Sequence, residues 1–285
     1  MLPPDAVVAP VPDWLRTLRA EAACPPLRPR VPLVAGAGAG AAASMIGSVE
    51  PDFLDQICFP RSTYGDYALL KKERSAETGA CLSWRLNGDV TTGLNLMAAA
   101  LHEKGLAGAW RQEQLAVCDA GGVRVGTVER AAVRPLGIAT LAVHLVGQAP
   151  DGRFWVQQRA FDKANDPGQW DTLMGGMVSS TDTLETALAR ETWEEAGLHI
   201  ADLQDLRYGG RLSTSRPASD GGGTGYVVEN IDWYGCTVPD GVTPINQDGE
   251  VAQFALRDTT QLLEAIRHRQ FTLEAALILW QAMAG

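Results

Sequence analysis

The stretch from Gly175 to Leu198, GGMVSSTDTLETALARETWEEAGL, constrains this chain more than any other. Leu184, Ala187, Leu188 and Thr192 recur at helical spacing and offer one face for packing. Glu191, Glu194 and Glu195 then fall on a different face, three and four residues apart, where like charges repel by roughly a few tenths of a kcal/mol per pair. Asp182 with Glu185 three residues later reads as a capping box, and Gly197 suits the C-terminal end. The pattern predicts a short helix, entered from a Gly-Gly loop, that gathers three carboxylates on one convergent face. A divalent cation would resolve that conflict, because Mg2+ or Mn2+ binds a few hard carboxylate oxygens, keeps waters and accepts phosphate oxygens. The blander reading is a solvated charged face with an Arg190–Glu194 ion pair. The Gly-Gly loop and the full set of spacings argue against it.

Charge narrows the partners. The 285 residues carry a formal net charge of -10, which disfavours nucleic acid polymers and anionic membranes as ligands, since both need a basic surface. An anionic substrate would therefore need a local cation. The five cysteines, Cys24, Cys58, Cys81, Cys118 and Cys236, are odd in number and contain no CxxC pair, so they read as free thiols in a reducing compartment. The N-terminus lacks the basic and apolar regions of a signal peptide, and no apolar run approaches a membrane span. The expectation is a soluble cytoplasmic protein.

Along the chain, Asp13 followed by WLRTLRAEA reads as a capped amphipathic helix ended by CPPLRPRVP. An Ala/Gly-rich segment near 34–44 has no conformation that the sequence decides. The segments SMIGSVE and RVGTVER share a short apolar alternation around one Gly and suit strands, and Leu94 to Leu106 suits a helix ending at Gly105. These elements make a small α+β module over 1–129. From 130 the pattern changes to GIATLAVHLVG, a hairpin turn at Asp151-Gly152, and RFWVQQRA. The strand candidates YVVENIDWYGCTV and EVAQFAL follow the central helix, and two helices start near Asp258 and Thr272. Strands bracketing one short helix, with helices at the end, predict a mixed sheet between helices over 130–285. FTLEAALILWQAMA is apolar around much of its circumference, so it is buried in the domain or at a subunit contact, which allows a homodimer.

Gly176, Arg190, Glu191, Glu194, Glu195, Gly197 and Leu198 stand in the register of the Nudix box, and the stretch resembles it. Two positions depart: Asp182 stands where Glu is usual and Thr192 where an aliphatic residue is usual. A narrower resemblance runs through IGSVEPDFLDQI, RAAVRPLGIATLAVHL, KANDPGQWDTLMGG, DGEV and FTLEAAL. It is to the Nudix subgroup with a distinct N-terminal module, similar to the Nudix half fused to thiamine pyrophosphokinase in fungi. The resemblance implies an α/β/α sandwich with a mixed sheet and hydrolysis of a diphosphate linkage in a small organic or nucleoside diphosphate. Thiamine diphosphate or a damaged analogue is the substrate it suggests. It implies no kinase activity.

In family terms Glu191, Glu194 and Glu195 would ligate Mg2+ or Mn2+, with the Gly175 carbonyl, while Arg190 would orient the acids. The chemistry requires the metal to screen a charged P–O–P bond, orient in-line attack and acidify a water. A glutamate of the box would be the general base, with Glu250 as an additional ligand or alternative base; an exposed turn acid is the plain reading of Glu250. Arg159 and Lys163 could bind phosphate oxygens or simply be solvated. Trp170 could stack on a heteroaromatic ring, although packing is its commoner role. His144 reads as a strand or core residue. Two other classes remain open: a non-catalytic ligand sensor on the same fold, and a diphosphate isomerase, whose cysteine motif has no match here.

Overall fold

In the computed structural model, residues 11–36, 44–57 and 69–284 are described. Cys58 and the middle of the Ala/Gly-rich segment lie outside them. The front of the chain contributes helix α1 (Asp13–Ala22) and strands β1 (Val31–Ala35), β2 (Ser44–Val49), β3 (Leu70–Arg74) and β4 (Cys81–Leu86). Helix α2 (Val90–Glu103) and the hairpin β5 (Gln114–Cys118) and β6 (Arg124–Glu129) follow. The four strands form a sheet in the order β2-β1-β4-β3, with β1 parallel to β4, and β5 pairs with β6 as a separate ribbon. Leu94, Met97 and Leu101 of α2 meet Leu33 and Leu86 of the sheet and Leu115 and Val128 of the ribbon in one core. The helix begins earlier than its sequence suggests, because the Asp89 side chain accepts from the Thr92 N–H at 2.8 Å and caps it.

The second sheet is built from β7 (Thr140–Gln148), β8 (Phe154–Arg159), β9 (Trp170–Asp171), β10 (Met174–Met177), β11 (Gln204–Ala218), β12 (Gly225–Thr237) and β13 (Val251–Arg257). Its main path runs β11-β12-β7-β8-β13, while β10 pairs with β7 and β9 with β8. β12 runs parallel to β7 and its other pairings are antiparallel, which makes the expected mixed sheet. Helix α3 (Leu184–Ala196) covers one face; a short turn α4 (Asp220–Gly223) precedes β12, and helices α5 (Thr259–Arg267) and α6 (Leu273–Ala284) cover the other face with α1. Strand alternation explains the layering. Val143 and Leu145 of β7 face Ala187 and Leu188 of α3, whereas Ala142 and Val146 face the core of α1, α5 and α6.

The architecture is α+β, a front α+β unit beside a sheet sandwiched between helices. α1 differs from expectation in two ways. Its N-cap is Pro12 and no side chain caps it, so Asp13 sits in the first turn, where a negative charge meets the helix dipole. It also packs with the second sheet's helices, Trp14 meeting Trp280 edge-on at 5.3 Å. The apolar circumference of α6 is satisfied inside the molecule, with Ala275 to Leu279 all buried, so it lends a homodimer no support. The described cysteines, Cys24, Cys81, Cys118 and Cys236, are free thiols. No helix among the described residues is long and apolar enough to cross a membrane.

Candidate active site

The loop ahead of α3 is set by β10, which pairs with β7 so that Gly175 faces His144 and Gly176 faces Val143. α3 starts one residue later than expected. Thr183 is its N-cap and forms a capping box with Thr186, the Thr186 N–H donating to Thr183 Oγ1 at 3.2 Å and the Thr183 N–H to Thr186 Oγ1 at 2.8 Å. Asp182 is therefore not the cap. It accepts from Arg190 instead, at 3.1 Å from Nε and 2.8 Å from Nη2, and this explains why an acid is needed there. At the other end Gly197 takes φ 62° and donates to the Trp193 carbonyl at 2.8 Å, closing the helix. Thr192 is fully buried with no partner for its hydroxyl, so it packs as an aliphatic residue would.

Arg190 is the hub of the helix. Besides Asp182 it donates from Nη1 to Glu191 Oε1 and to Glu194 Oε2, both at 2.9 Å. Burial opposes its charge, yet the bonds to Asp182 and Glu191 raise its pKa further. The three glutamates do not share one environment. Glu195 is buried, and its Oε2 accepts from the Gly175 N–H at 3.0 Å and from Gln157 Nε2 at 2.8 Å. Burial nonetheless pushes its pKa up to about 8, against those two donors. Burial likewise pushes Glu191 up to about 7, against Arg190. Glu194 is 41% exposed and tied to Arg190. Among the described residues no three acidic, histidine or cysteine side chains converge on a single point.

Glu191, Glu195, Gly175, Gly176, Arg159, Lys163 and Glu250 line one cleft of about 150 Å3. Lys163 pairs with Glu250 Oε2 at its rim, and that pairing, against burial, lowers the Glu250 pKa. Arg159 is 15% exposed, lies 3.6 Å from Asp171 and leaves its Nε unpartnered. Trp170 is not in the cleft. Its neighbour Asp171 takes the cleft-facing position on β9, while the Trp170 ring lies against Arg257, 4.0 Å from the guanidinium, and joins the second core. Glu194 is likewise outside the lining.

Several cleft residues carried no signal of their own in the sequence. Arg130, Arg134, Arg216, Glu229 and Glu274 of the lining, with Gln157 behind Glu195, come from separated segments that the fold brings together. His144 is a strand residue as expected, but it also lines the cleft. Thr172 Oγ1 donates to the Met174 carbonyl at 2.7 Å, so the 2.9 Å contact between Thr172 Oγ1 and His144 Nδ1 is donated by the imidazole. Burial lowers the His144 pKa and keeps it neutral, which leaves Nε2 as an acceptor.

Does the donor set suit a divalent ion? Two carboxylates, the half-buried Glu191 and the buried Glu195, lie beneath the Gly-Gly loop, and desolvation opposes the ionisation of both. The buried Gln157 Oε1, on the side chain that holds Glu195, has no partner. Mg2+ takes one or two carboxylates and completes its shell with waters and phosphate oxygens. The residues fit such an ion, with Glu191 and Glu195 as its carboxylates.

Residues 138–276 match the family model of the NUDIX domain, and most of the cleft lining falls within them. The uncharacterized protein YJR142W of Saccharomyces cerevisiae is 26% identical over 195 residues, covering 62% of this chain and 56% of that protein. Nudix hydrolase 20, chloroplastic, of Arabidopsis thaliana is 29% identical over 148 residues, covering 51% of this chain and 38% of that protein. An isopentenyl-diphosphate Delta-isomerase of Leifsonia xyli is 33% identical over 107 residues, covering 34% of this chain and 56% of that protein. The chain thus spans about half or less of the length of these relatives.

Proposed function

We propose that this protein hydrolyses a phosphoanhydride bond in a small organic or nucleoside diphosphate, with Mg2+ or Mn2+ as cofactor. The observation that carries the reading is the placement of half-buried Glu191 and buried Glu195 under the Gly175–Gly176 loop, in the stretch that matches the NUDIX domain, with basic side chains lining the same cleft. Glu191 and Glu195 would hold the ion, with the Gly175 carbonyl as the further ligand that the resemblance implies. Bound there, the ion supplies the positive charge that a diphosphate needs and acidifies a water.

The chain's own residues do the rest. Arg190 holds the Glu191 carboxylate in place, and Gln157 with the Gly175 N–H orients Glu195. Arg159 and Lys163 bind phosphate oxygens from the opposite wall. The general base is a glutamate of the box, with Glu250 the alternative on the rim, where Lys163 holds Oε2 and leaves Oε1 to accept a proton. Glu194 acts through Arg190. The front unit over 1–129 is the N-terminal module of the subgroup resembled above, and thiamine diphosphate and its damaged analogues are the first substrates to try. The free thiols among the described residues support the reading of a reducing compartment such as the cytoplasm.

The isomerase relative supports a second reading, proton transfer on an allylic diphosphate. It is the weaker one, because no cysteine lines the cleft among the described residues. The test is product release with Mg2+ or Mn2+ over thiamine diphosphate, nucleoside diphosphate sugars, dinucleotides and mutagenic nucleotides, with Glu195→Gln as control. Metal-dependent release lost by orders of magnitude in the control supports hydrolysis. Ligand binding without turnover would favour a sensor, and equal turnover in both proteins would end the assignment.

A further inference from the structure

A second chamber, of about 190 Å3, adjoins the cleft where the front unit meets the second sheet. Arg134, Asn165 and Glu229 line both spaces and stand between them. Val133, Ile138 and Val227 give the chamber apolar walls. A buried water occupies roughly 10–15 Å3 on this kind of measure, so the space admits an organic group of one or two rings.

Glu229 is the polar group at its back. The carboxyl receives one long hydrogen bond, from Thr140 Oγ1 to Oε1 at 3.4 Å. Its cationic neighbours are engaged elsewhere: Arg216 bonds Glu274 at 2.8 Å, and Arg134 bonds Asn165 at 3.0 Å and reaches Asp220 at 3.5 Å. Among the described residues Oε2 of Glu229 has no hydrogen-bond partner, and the residue lines both the chamber and the cleft. An acid whose arginine neighbours are committed to other acceptors, beside the apolar Val133, Ile138 and Val227, is suited to hold a proton and donate it to a ligand.

We propose that this chamber is the subsite for the organic group of the substrate, a ring bearing a nitrogen or carbonyl acceptor, to which Glu229 donates a hydrogen bond. Burial first, and then the neighbouring Glu274 carboxylate, raise the Glu229 pKa, against Arg134 and Arg216. Arg134 and Asn165 stand at the passage between the ring and the phosphates. The front unit thereby becomes part of the recognition surface, because Gly108, Ala109 and Arg111 complete the chamber wall.

The inference rests on the hydrolase reading, and its test separates the two. Calorimetric binding is measured for thiamine diphosphate, adenosine diphosphate ribose and methyl diphosphate, on the full chain and on three variants. The native protein should prefer at least one ring-bearing diphosphate over methyl diphosphate by tenfold or more. Glu229→Ala should reduce that preference about tenfold, the loss of one buried hydrogen bond. Glu229→Gln, whose amide still donates, should keep it within about threefold on the same scale. Ala164→Phe, at an exposed position on the chamber mouth, should reduce the preference by obstruction even if Glu229→Ala does not fold. Native binding without preference, a preference that survives Glu229→Ala or Ala164→Phe, or a Gln variant as impaired as Ala would each overturn the proposal. A ring preference without turnover in Mg2+ would leave the subsite standing and remove the hydrolase reading.

Discussion

Replacing Gly176 by alanine isolates the contact on which the site depends. Gly176 lies on β10, outside the left-handed region, so alanine suits the backbone and only space opposes it. An added Cβ would fall 2.0 Å from Glu191 Cδ and 2.4 Å from its Cγ and Oε2. Ordinary carbon contacts need about 3.5–4.0 Å, so one partner must withdraw by roughly 1.5 Å. β10 is fixed by its pairing with β7, and α3 is fixed by Ala187 and Leu188 in the core. The Glu191 side chain is what remains to move, and moving it breaks the 2.9 Å bond to Arg190. A misplacement near 1 Å commonly costs about a hundredfold in rate. Strain of this kind destabilises by about 1–3 kcal/mol, which a protein of this size survives. Three measurements decide: thermal unfolding, Mg2+ affinity by calorimetry, and turnover of whichever diphosphate the native protein cleaves. The expected result is a folded variant with Mg2+ affinity reduced about tenfold or more and turnover reduced about a hundredfold. A folded Gly176→Ala protein with native Mg2+ affinity and native turnover would refute the claim that Glu191 must lie against this loop.

The remaining predictions concern charge and packing. In EDTA, the folded-state pKa values of Glu191 and Glu195 lie above the ordinary 4.5, at about 7 and about 8. The folded protein therefore binds more protons than the unfolded chain across that window, and metal-free stability should fall as pH rises from 5 to 8. Urea unfolding at both ends of the range measures the slope. Glu195→Gln removes its share, so the variant should match or exceed the native protein at pH 8 without metal; an unchanged slope would contradict the buried placement of Glu195. Arg190→Met should lower Mg2+ affinity and also stability, because it leaves Asp182 and Glu191 without their common partner; isothermal titration and thermal unfolding together test it. Trp170→Leu should cost on the order of 1–3 kcal/mol through lost packing and leave KM for every ring-bearing diphosphate unchanged. A selective rise in KM would restore ring stacking to Trp170.

What the sequence made legible follows the range of the forces involved. The helix 184–196, its αL glycine and the Arg190–Glu194 ion pair depend on neighbours within a few turns, and spacing alone exposes them. The capping error shows the limit of even local reading. Asp182 and Thr183 are both good caps, and the choice was made by Arg190 eight residues on, which takes the Asp182 carboxylate for itself. Glu194 shows the same limit on the other flank. It shares the helical face of Glu191 and Glu195 by periodicity, yet a single arginine holds it at the surface, while a strand residue, Gln157, and a loop N–H draw Glu195 inward.

Of the cleft's cations the sequence offered Arg159 and Lys163; the others and the second chamber are products of the fold. Arg134 precedes β7 by six residues and Arg216 nears the end of β11, and each is an unremarkable arginine in its own segment. Trp170 and Asp171 are adjacent and were separable only once β9 was paired, because strand alternation sends one side chain to the core and the other to the cleft. The same rule places Glu229: its Cα partner across the parallel pairing is Thr140, the first residue of β7, so its carboxyl emerges where the sheet ends and the front unit begins. A box motif is legible from spacing within one helix; the position of Glu229, on which the proposed subsite turns, depends on a pairing partner 89 positions away.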